Sequence, residues 1–359
     1  MINNKLFSIS SRSYISSSSG SYSISNIFLL SSISSALLLS SISCVGADIQ
    51  FLSVGDWGGA ALGGYHLKNA QNTAVSMYKF INNTNSKFVI NTGDNFYYCG
   101  IQNINDTQIT EDYIALFGHI NLPWYNCLGN HDYGFKPEVQ LELSSIIKNW
   151  IMDDRYYWHK LTYDAATVNL IALDTNPCIS DYRGNDRSKW DPCNFEFPTC
   201  GPVPGECFFH QNILTQDCQS QLDWFKQTLD KIPADEWVIV FGHHRAEEIN
   251  VADFQSLLDR PNVHLYLNGH VHSLQYYSVN GQPKYITTGA GCMVVPNIDL
   301  HLKVPTKNKN VHDIWVKTVT GYTTHTISGN KLTTEFRDIT NNLIYSFDVV
   351  KDEYHAVKE

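Results

Sequence analysis

Five short apolar runs in this chain each end in a glycine followed by a side chain that can bind a metal. Ile49 to Val54 precedes GDWGG, Lys87 to Asn91 precedes GDNFYY, and Leu122 to Leu128 runs into GNHD. Trp237 to Phe241 precedes GHH, and Val263 to Asn268 precedes GHVH. Runs of this length read as buried strands, and the glycine frees the turn that follows while letting backbone approach closely. A sheet of parallel strands binds ligands outside its carboxy ends, so one sheet edge can gather Asp56, Asp94, Asn130, His243, His270 and His272. Any one Gly-Asp or Gly-His is commonplace in turns; the series after successive strands is what carries information.

The spacing predicts helices between these strands: Ala70, Ala74, Met77, Tyr78 and Ile81 fall on one face of Leu67 to Asn82, and Glu111 to Gly118 and Gln219 to Ile232 read similarly. Strand, helix, strand units call for an α/β fold with a mostly parallel sheet and helices on its faces. Tyr156 to Leu161 and Val168 to Asp174 suggest a second sheet. Lys284 to Thr288 runs into GAG, and Gly321 to Ile327, Leu332 to Asp338 and Leu343 to Val350 alternate like antiparallel strands. Residues 48–350 read as one domain carrying a Cys-, Pro- and Asn-rich insertion at 176–218, followed by a polar tail, 351–359.

Residues 1–47 read as a secretory leader: a weakly basic start, a Ser-rich apolar stretch, and Val45-Gly46-Ala47 with small residues at the cleavage positions. Cleavage after Ala47 is expected, and a retained signal anchor is the alternative; many serines make the stretch a poor permanent span. The chain carries a net charge of -10 with only Lys5 and Arg12 in its first 47 residues, which argues against a duplex nucleic-acid partner. Beyond Cys44, the eight cysteines Cys99, Cys127, Cys178, Cys193, Cys200, Cys207, Cys218 and Cys292 form an even set suited to disulfides in an oxidising compartment. Five crowd between Cys178 and Cys218 without a CxxC pair, which favours a disulfide-stapled insertion over a zinc knot. Sequons at Asn82 and Asn105 agree with the secretory route.

Two Asp, one Asn and three His exceed what one tetrahedral ion needs and suit two ions sharing a bridging carboxylate. Two ions about 3.5–4 Å apart clamp a phosphoryl group and generate a hydroxide nucleophile, which is the chemistry of phosphate ester hydrolysis.

The series GDWGG, GDNFYY, GNHD, GHH and GHVH resembles the metallophosphoesterases, and the Tyr in GDNFY is similar to the purple acid phosphatases, especially the small, tartrate-resistant type. The resemblance covers roughly Asp48 to Asp348, including GAG near Gly289. It implies two mixed β-sheets sandwiched between helices, and a site at one sheet edge holding Fe(III) beside Fe(II), Zn(II) or Mn(II). Carried over by position, Asp56, Tyr97 and His272 would hold the ferric ion, Asn130, His243 and His270 the divalent one, and Asp94 would bridge them. A phenolate suits a trivalent ion and neutral Asn with imidazoles a divalent one. His131 resembles the family's histidine that binds phosphate oxygen and protonates the leaving alkoxide. Asp132 is expected either to orient an imidazole or to cap a turn. The small enzymes carry a further histidine nine residues after the His243 counterpart, where this chain has Ala252. His244, Glu247 and Glu248 crowd that loop instead; His244 is the candidate substitute, and the two carboxylates would repel anionic substrates at the mouth.

The resulting expectation is a secreted or lysosome-like acid phosphatase acting on phosphorylated small molecules or phosphoproteins, through in-line attack by a metal-bound hydroxide. The alternatives are a phosphodiesterase or phosphoprotein phosphatase on the same fold, or a scaffold or anchor derived from a phosphatase, as among some parasite relatives. Against the last stand all seven candidate ligands and a polar C-terminal end.

Overall fold

The computed structural model describes residues 48–184, 192–193, 200, 207–295 and 310–351. The expected leader, the polar tail beyond Lys351 and most of the insertion's centre lie outside them. Among the described residues, fourteen strands form two seven-stranded sheets. In chain order they are β1 (Ile49–Val54), β2 (Ser86–Asn91), β3 (Trp124–Asn126), β4 (Trp150–Ile151), β5 (Tyr157–Thr162), β6 (Thr167–Ala172) and β7 (Trp237–Phe241). Then come β8 (Leu265–Asn268), β9 (Leu274–Val279), β10 (Gln282–Thr288), β11 (Val311–Lys317), β12 (Gly321–Ser328), β13 (Lys331–Asp338) and β14 (Leu343–Val350).

The first sheet runs β14-β13-β12-β1-β2-β3-β4, and the second β11-β9-β10-β8-β7-β6-β5. Each has a parallel part, β1 to β4 and β6-β7-β8-β10, and an antiparallel part. The parallel strands are buried along nearly their whole length, as strands covered on both faces must be. This is the α/β arrangement of two mixed sheets with helices that the motif series implied.

Strand alternation shows how the sheets meet. Along β12, Tyr322 turns outward, packing near Phe80 of helix α1 (Gly64–Asn82), while Thr323 turns inward to the Thr288 hydroxyl of the second sheet. On the same inner face His325 stacks on Phe51 at 4.5 Å, and its ring nitrogens meet the hydroxyls of Ser53 (2.9 Å) and Thr334 (3.0 Å). Toward the antiparallel ends, Trp315 stacks on Tyr345 and Tyr276 on Phe347, joining β11 and β9 to β14. A second helix, α2 (Cys218–Leu229), starts at an Asp217 side-chain cap and pins Gln221 to the backbone of Asp174 beyond β6.

The helix expected over Glu111 to Gly118 forms as a π-helical turn, Ile109–Ile114, followed by one α-helical turn. Other expectations need correction. The strands β4, β9 and β11 were not foreseen: β4 has two residues, and in β9 and β11 polar residues interrupt the alternation. Not all eight cysteines pair. Disulfides join Cys99 to Cys200, Cys178 to Cys218 and Cys193 to Cys207, while Cys127 and Cys292 remain buried thiols. The two thiols are buried in separate apolar clusters, Cys127 in the main core and Cys292 beside Ala70 and Tyr97.

Burial between the sheets pushes the His325 imidazole down to about 3. The unfolded chain takes that proton near pH 6.5, so between these values the unfolded state binds more protons and stability falls as pH drops. Urea titrations between about pH 6 and 4 should show a His325→Gln variant losing stability less steeply than the parent, by about 1.4 kcal/mol per pH unit.

Candidate metal centre

The carboxy ends of β1, β2, β3, β7 and β8 converge on one edge where the two sheets adjoin. Asp56 and Asp94, directly after the glycines that follow β1 and β2, hold left-handed backbone at φ 55° and 54°, and His270 after β8 does so at φ 67°. Non-glycine residues adopt this region at a cost, and three at one locus mark a site that its surroundings hold in place. Glycine makes the closest approaches possible. A Cβ on Gly269 would stand 2.4 Å from Asp56 Oδ2, and one on Gly129 would stand 2.1 Å from Asp94 Oδ1.

The predicted donors fall into two groups. In the first, Tyr97 Oη lies 3.2 Å from Asp56 Oδ1 and 3.1 Å from His272 Nε2, which is itself 3.2 Å from Asp56 Oδ1. In the second, Asn130 Oδ1 lies 2.7 Å from His243 Nε2 and 3.0 Å from His270 Nδ1. Asp94 stands between them, its Oδ1 3.4 Å from His243 Nε2 and accepting the His131 backbone N–H at 3.0 Å. The histidine tautomers are set from outside: His243 Nδ1 donates to the Thr92 carbonyl, which leaves Nε2 facing Asp94 and Asn130. His270 turns Nδ1 inward, and its Nε2 lies 3.8 Å from Glu248.

These residues fit a pair of cations. Asp56 and Asp94 are fully buried, and their partners among the described residues are imidazoles, the Tyr97 phenol and backbone N–H groups, with no Lys or Arg. Two buried carboxylates so close together need positive charge. Burial works to raise the Asp94 carboxyl, yet His243 and His131 hold it well below the usual range. His243 is correspondingly raised to about 9, against its burial, chiefly by Asp94. Burial and then the Asp56 and Asp94 charges push the Tyr97 phenol well above its ordinary value, so only a strongly polarising ion would take it as phenolate.

The surrounding residues sort out differently from one another. His131 donates Nδ1–H to the Tyr98 carbonyl at 2.7 Å and sets its ring against Tyr97, 4.6 Å between centroids. The Asp132 carboxylate accepts the backbone N–H groups of Gly129, Asn95 and Phe96 and the Gln140 amide, knotting the GDNF turn to GNHD. Turn capping is thus the role the geometry gives it. His244 is buried rather than at the mouth, between the Thr175 hydroxyl (2.8 Å) and the Tyr182 hydroxyl (2.9 Å), with its ring 4.5 Å from His270. Burial, with His270 and His243 nearby, pushes its pKa well below the usual imidazole value, and its ring packs against His270. Glu247 also leaves the mouth, turning in to the Arg245 guanidinium at 2.6 Å, and Ala252 packs half-buried on the core. Of the two carboxylates expected at the mouth, Glu248 alone stays beside a donor.

Sequence reasoning missed the layer beneath. Asn91 ends β2, accepts the Trp57 indole N–H at 2.9 Å and donates to Asn95 and Asn126, tying three motif turns together. The signal was visible, because Asn closes β2, β3 and β8 alike. Arg155 joins buried Tyr133 and Asp174, with exposed Glu138 at its outer end, in a network linking the GNHD segment of the first sheet to the end of β6 in the second. Cys99, two residues from Tyr97, is bonded to Cys200, which fastens the insertion beside the site.

Residues 49–274 match the Calcineurin-like phosphoesterase family, and the chain belongs to it. It is similar to tartrate-resistant acid phosphatase type 5 of Rattus norvegicus, 28% identical over 281 residues that cover 75% of this chain and 80% of the relative. It is likewise similar to purple acid phosphatase 4 of Arabidopsis thaliana, 28% identical over 316 residues, 85% and 84% of the two chains. Among solved structures, Plasmodium GAP50, the anchor in the inner membrane complex, superposes with a TM-score of 0.59 at 21% identity, over 86% of this chain and 94% of that one. A dimetal phosphatase from Danio rerio gives 0.52 at 14% identity, over 84% and 99%. Both structural likenesses show the fold.

Replacing Gly269 with Ala should cost roughly 1–3 kcal/mol, the usual range for overpacking, because Asp56 Oδ2 and the Thr92 carbonyl cannot both retreat. Urea denaturation measures the cost, and metal analysis of the same variant should show reduced loading.

Proposed function

We propose that this protein is an acid phosphatase hydrolysing phosphate monoesters at a dinuclear Fe(III)–M(II) centre, with Fe(II), Zn(II) or Mn(II) as the divalent ion. The observation that carries the reading is the division of seven side chains into an Asp56, Tyr97 and His272 group and an Asn130, His243 and His270 group with Asp94 between. The first group would hold the ferric ion, since it contains the phenol and a carboxylate; the second, an amide and two imidazoles, would hold the divalent one. Kinship with proteins named acid phosphatases supports the choice of monoesters.

Bound there, the two ions would supply Lewis acidity toward a phosphoryl group and lower the pKa of water. The chain's own residues then divide the remaining work. Thr92 and the Asn91 amide cluster keep the His243 imidazole and the motif turns in register, so that donors need not reorganise during turnover. His131, oriented by its Nδ1–H bond to the Tyr98 carbonyl, would meet phosphate oxygen or the leaving alkoxide through Nε2 and deliver the proton. With Ala252 in place of an imidazole and His244 withdrawn, His131 is the residue on which protonation of the leaving group depends in this reading. Three disulfides fit an oxidising secretory or lysosome-like compartment, and among the described residues no helix is long and apolar enough to cross a membrane.

Metal analysis joined to a visible spectrum tests the centre. Fully loaded protein should absorb in the visible through tyrosinate-to-iron charge transfer, and Tyr97→Phe should bleach that band while keeping much of the hydrolysis. A loaded protein without the band overturns the iron assignment. His131→Ala should lower kcat on an alkyl phosphate monoester by about a hundredfold or more with metal content unchanged. Turnover of a matched diester equal to or better than that of the monoester would replace the monoesterase reading with a diesterase one.

A further inference from the structure

A groove of about 480 Å³ lies on the surface between the loop that follows GDNFYY and the segment Leu143 to Ile147. Ile104, Ile114, Leu143, Ile146 and Ile147 give it aliphatic walls, with Thr110 and Glu111 among its polar lining. Ile114 is 46% exposed and Ile146 63%, so this is an open apolar surface on a chain whose other large aliphatics are mostly inside. The same groove is rimmed by Asn105 and Thr107, the first and third residues of a sequon.

The loop holds that sequon in a defined presentation. Asp106, the middle residue, turns inward, its carboxylate accepting the backbone N–H groups of Gln102 (3.0 Å) and Gln108 (3.1 Å). The Asn105 backbone N–H donates to Asn103 Oδ1 at 2.9 Å. Asn105 and Thr107 themselves face solvent. The other sequon is built differently: Asn82 ends α1, and the Thr84 hydroxyl bonds the Phe80 carbonyl and meets the Ser86 hydroxyl. Asn82 is no part of the groove.

We propose that Asn105 carries an N-linked glycan whose first sugars lie along this groove, covering Ile114 and Ile146 with the C–H faces and acetyl methyls of N-acetylglucosamine. In the transfer, Asn105 Nδ2 bonds to C1 of the first sugar of a lipid-linked oligosaccharide diphosphate. The C1–O bond to the diphosphate breaks, and the Nδ2 proton leaves with the released lipid diphosphate. The fold then receives a glycan where its surface is already apolar, with the sugar hydroxyls turned to water. The inference rests on the secretory route in the proposed function, and is otherwise independent of the catalytic reading.

The test is synthesis of the full chain in a eukaryotic secretory system, with peptide mapping of the translocated, disulfide-bonded product. Asn105 should carry glycan, and Thr107→Ala, which leaves Asn105 in place, should lose it. The bare Thr107→Ala protein should bind an apolar dye at least about twofold more than the parent, and adding Ile114→Ser and Ile146→Ser should reverse the gain. A translocated, disulfide-bonded chain with bare Asn105, or dye binding that does not respond to loss of the glycan, overturns the proposal. A chain left outside the membrane overturns the route itself and the glycan with it.

Discussion

The structure turns on two carboxylates, Asp56 and Asp94, buried side by side at the ends of adjacent parallel strands. Left without cations, such a pair is among the most costly arrangements a core can contain. Everything nearby is arranged to hold them together nevertheless: left-handed turns, glycines across which no Cβ would fit, and imidazoles and a phenol in place of lysine or arginine. His243 answers part of that charge from within the chain, and the arrangement suits cations from outside it for the rest.

The two-sheet plan supplies the geometry. Asp56, Asp94, Tyr97 and Asn130 come from the first sheet's loops, and His243, His270 and His272 from the second's. The oxygen-rich side and the nitrogen-rich side therefore belong to different sheets and meet at their shared edge. Amide chains beneath the turns and the Arg155 network between the sheets keep the halves in register.

What could be read in advance followed from local physics. β1 and β7 begin and end where their apolar runs do, because a strand buried on both faces leaves an uninterrupted signal. The donors were legible for a related reason, since a glycine and a ligand at each strand end leave little else for the turn to be. What escaped depends on partners far away in sequence. β9 and β11 acquire their pattern from one another and from β10. His244, the candidate substitute for the missing histidine, is enclosed by Thr175 and Tyr182, which lie outside its own loop. Glu247 looked like a charge at the mouth, yet Arg245, two residues away, draws it inward. Cys127 and Cys292 show the limit of counting, for parity says nothing about whether two thiols can meet.

The inner faces of the sheets have a bearing on how such a protein can change. The hydroxyl cluster around His325 and the ring pairs Trp315–Tyr345 and Tyr276–Phe347 join the sheets without using any donor of the candidate site. The seam is thus sewn twice, once by packing and once by chemistry, with separate threads. A lineage can cut the chemical thread, ligand by ligand, and keep the architecture, and the architecture remains available to whatever use a rigid two-sheet body can serve.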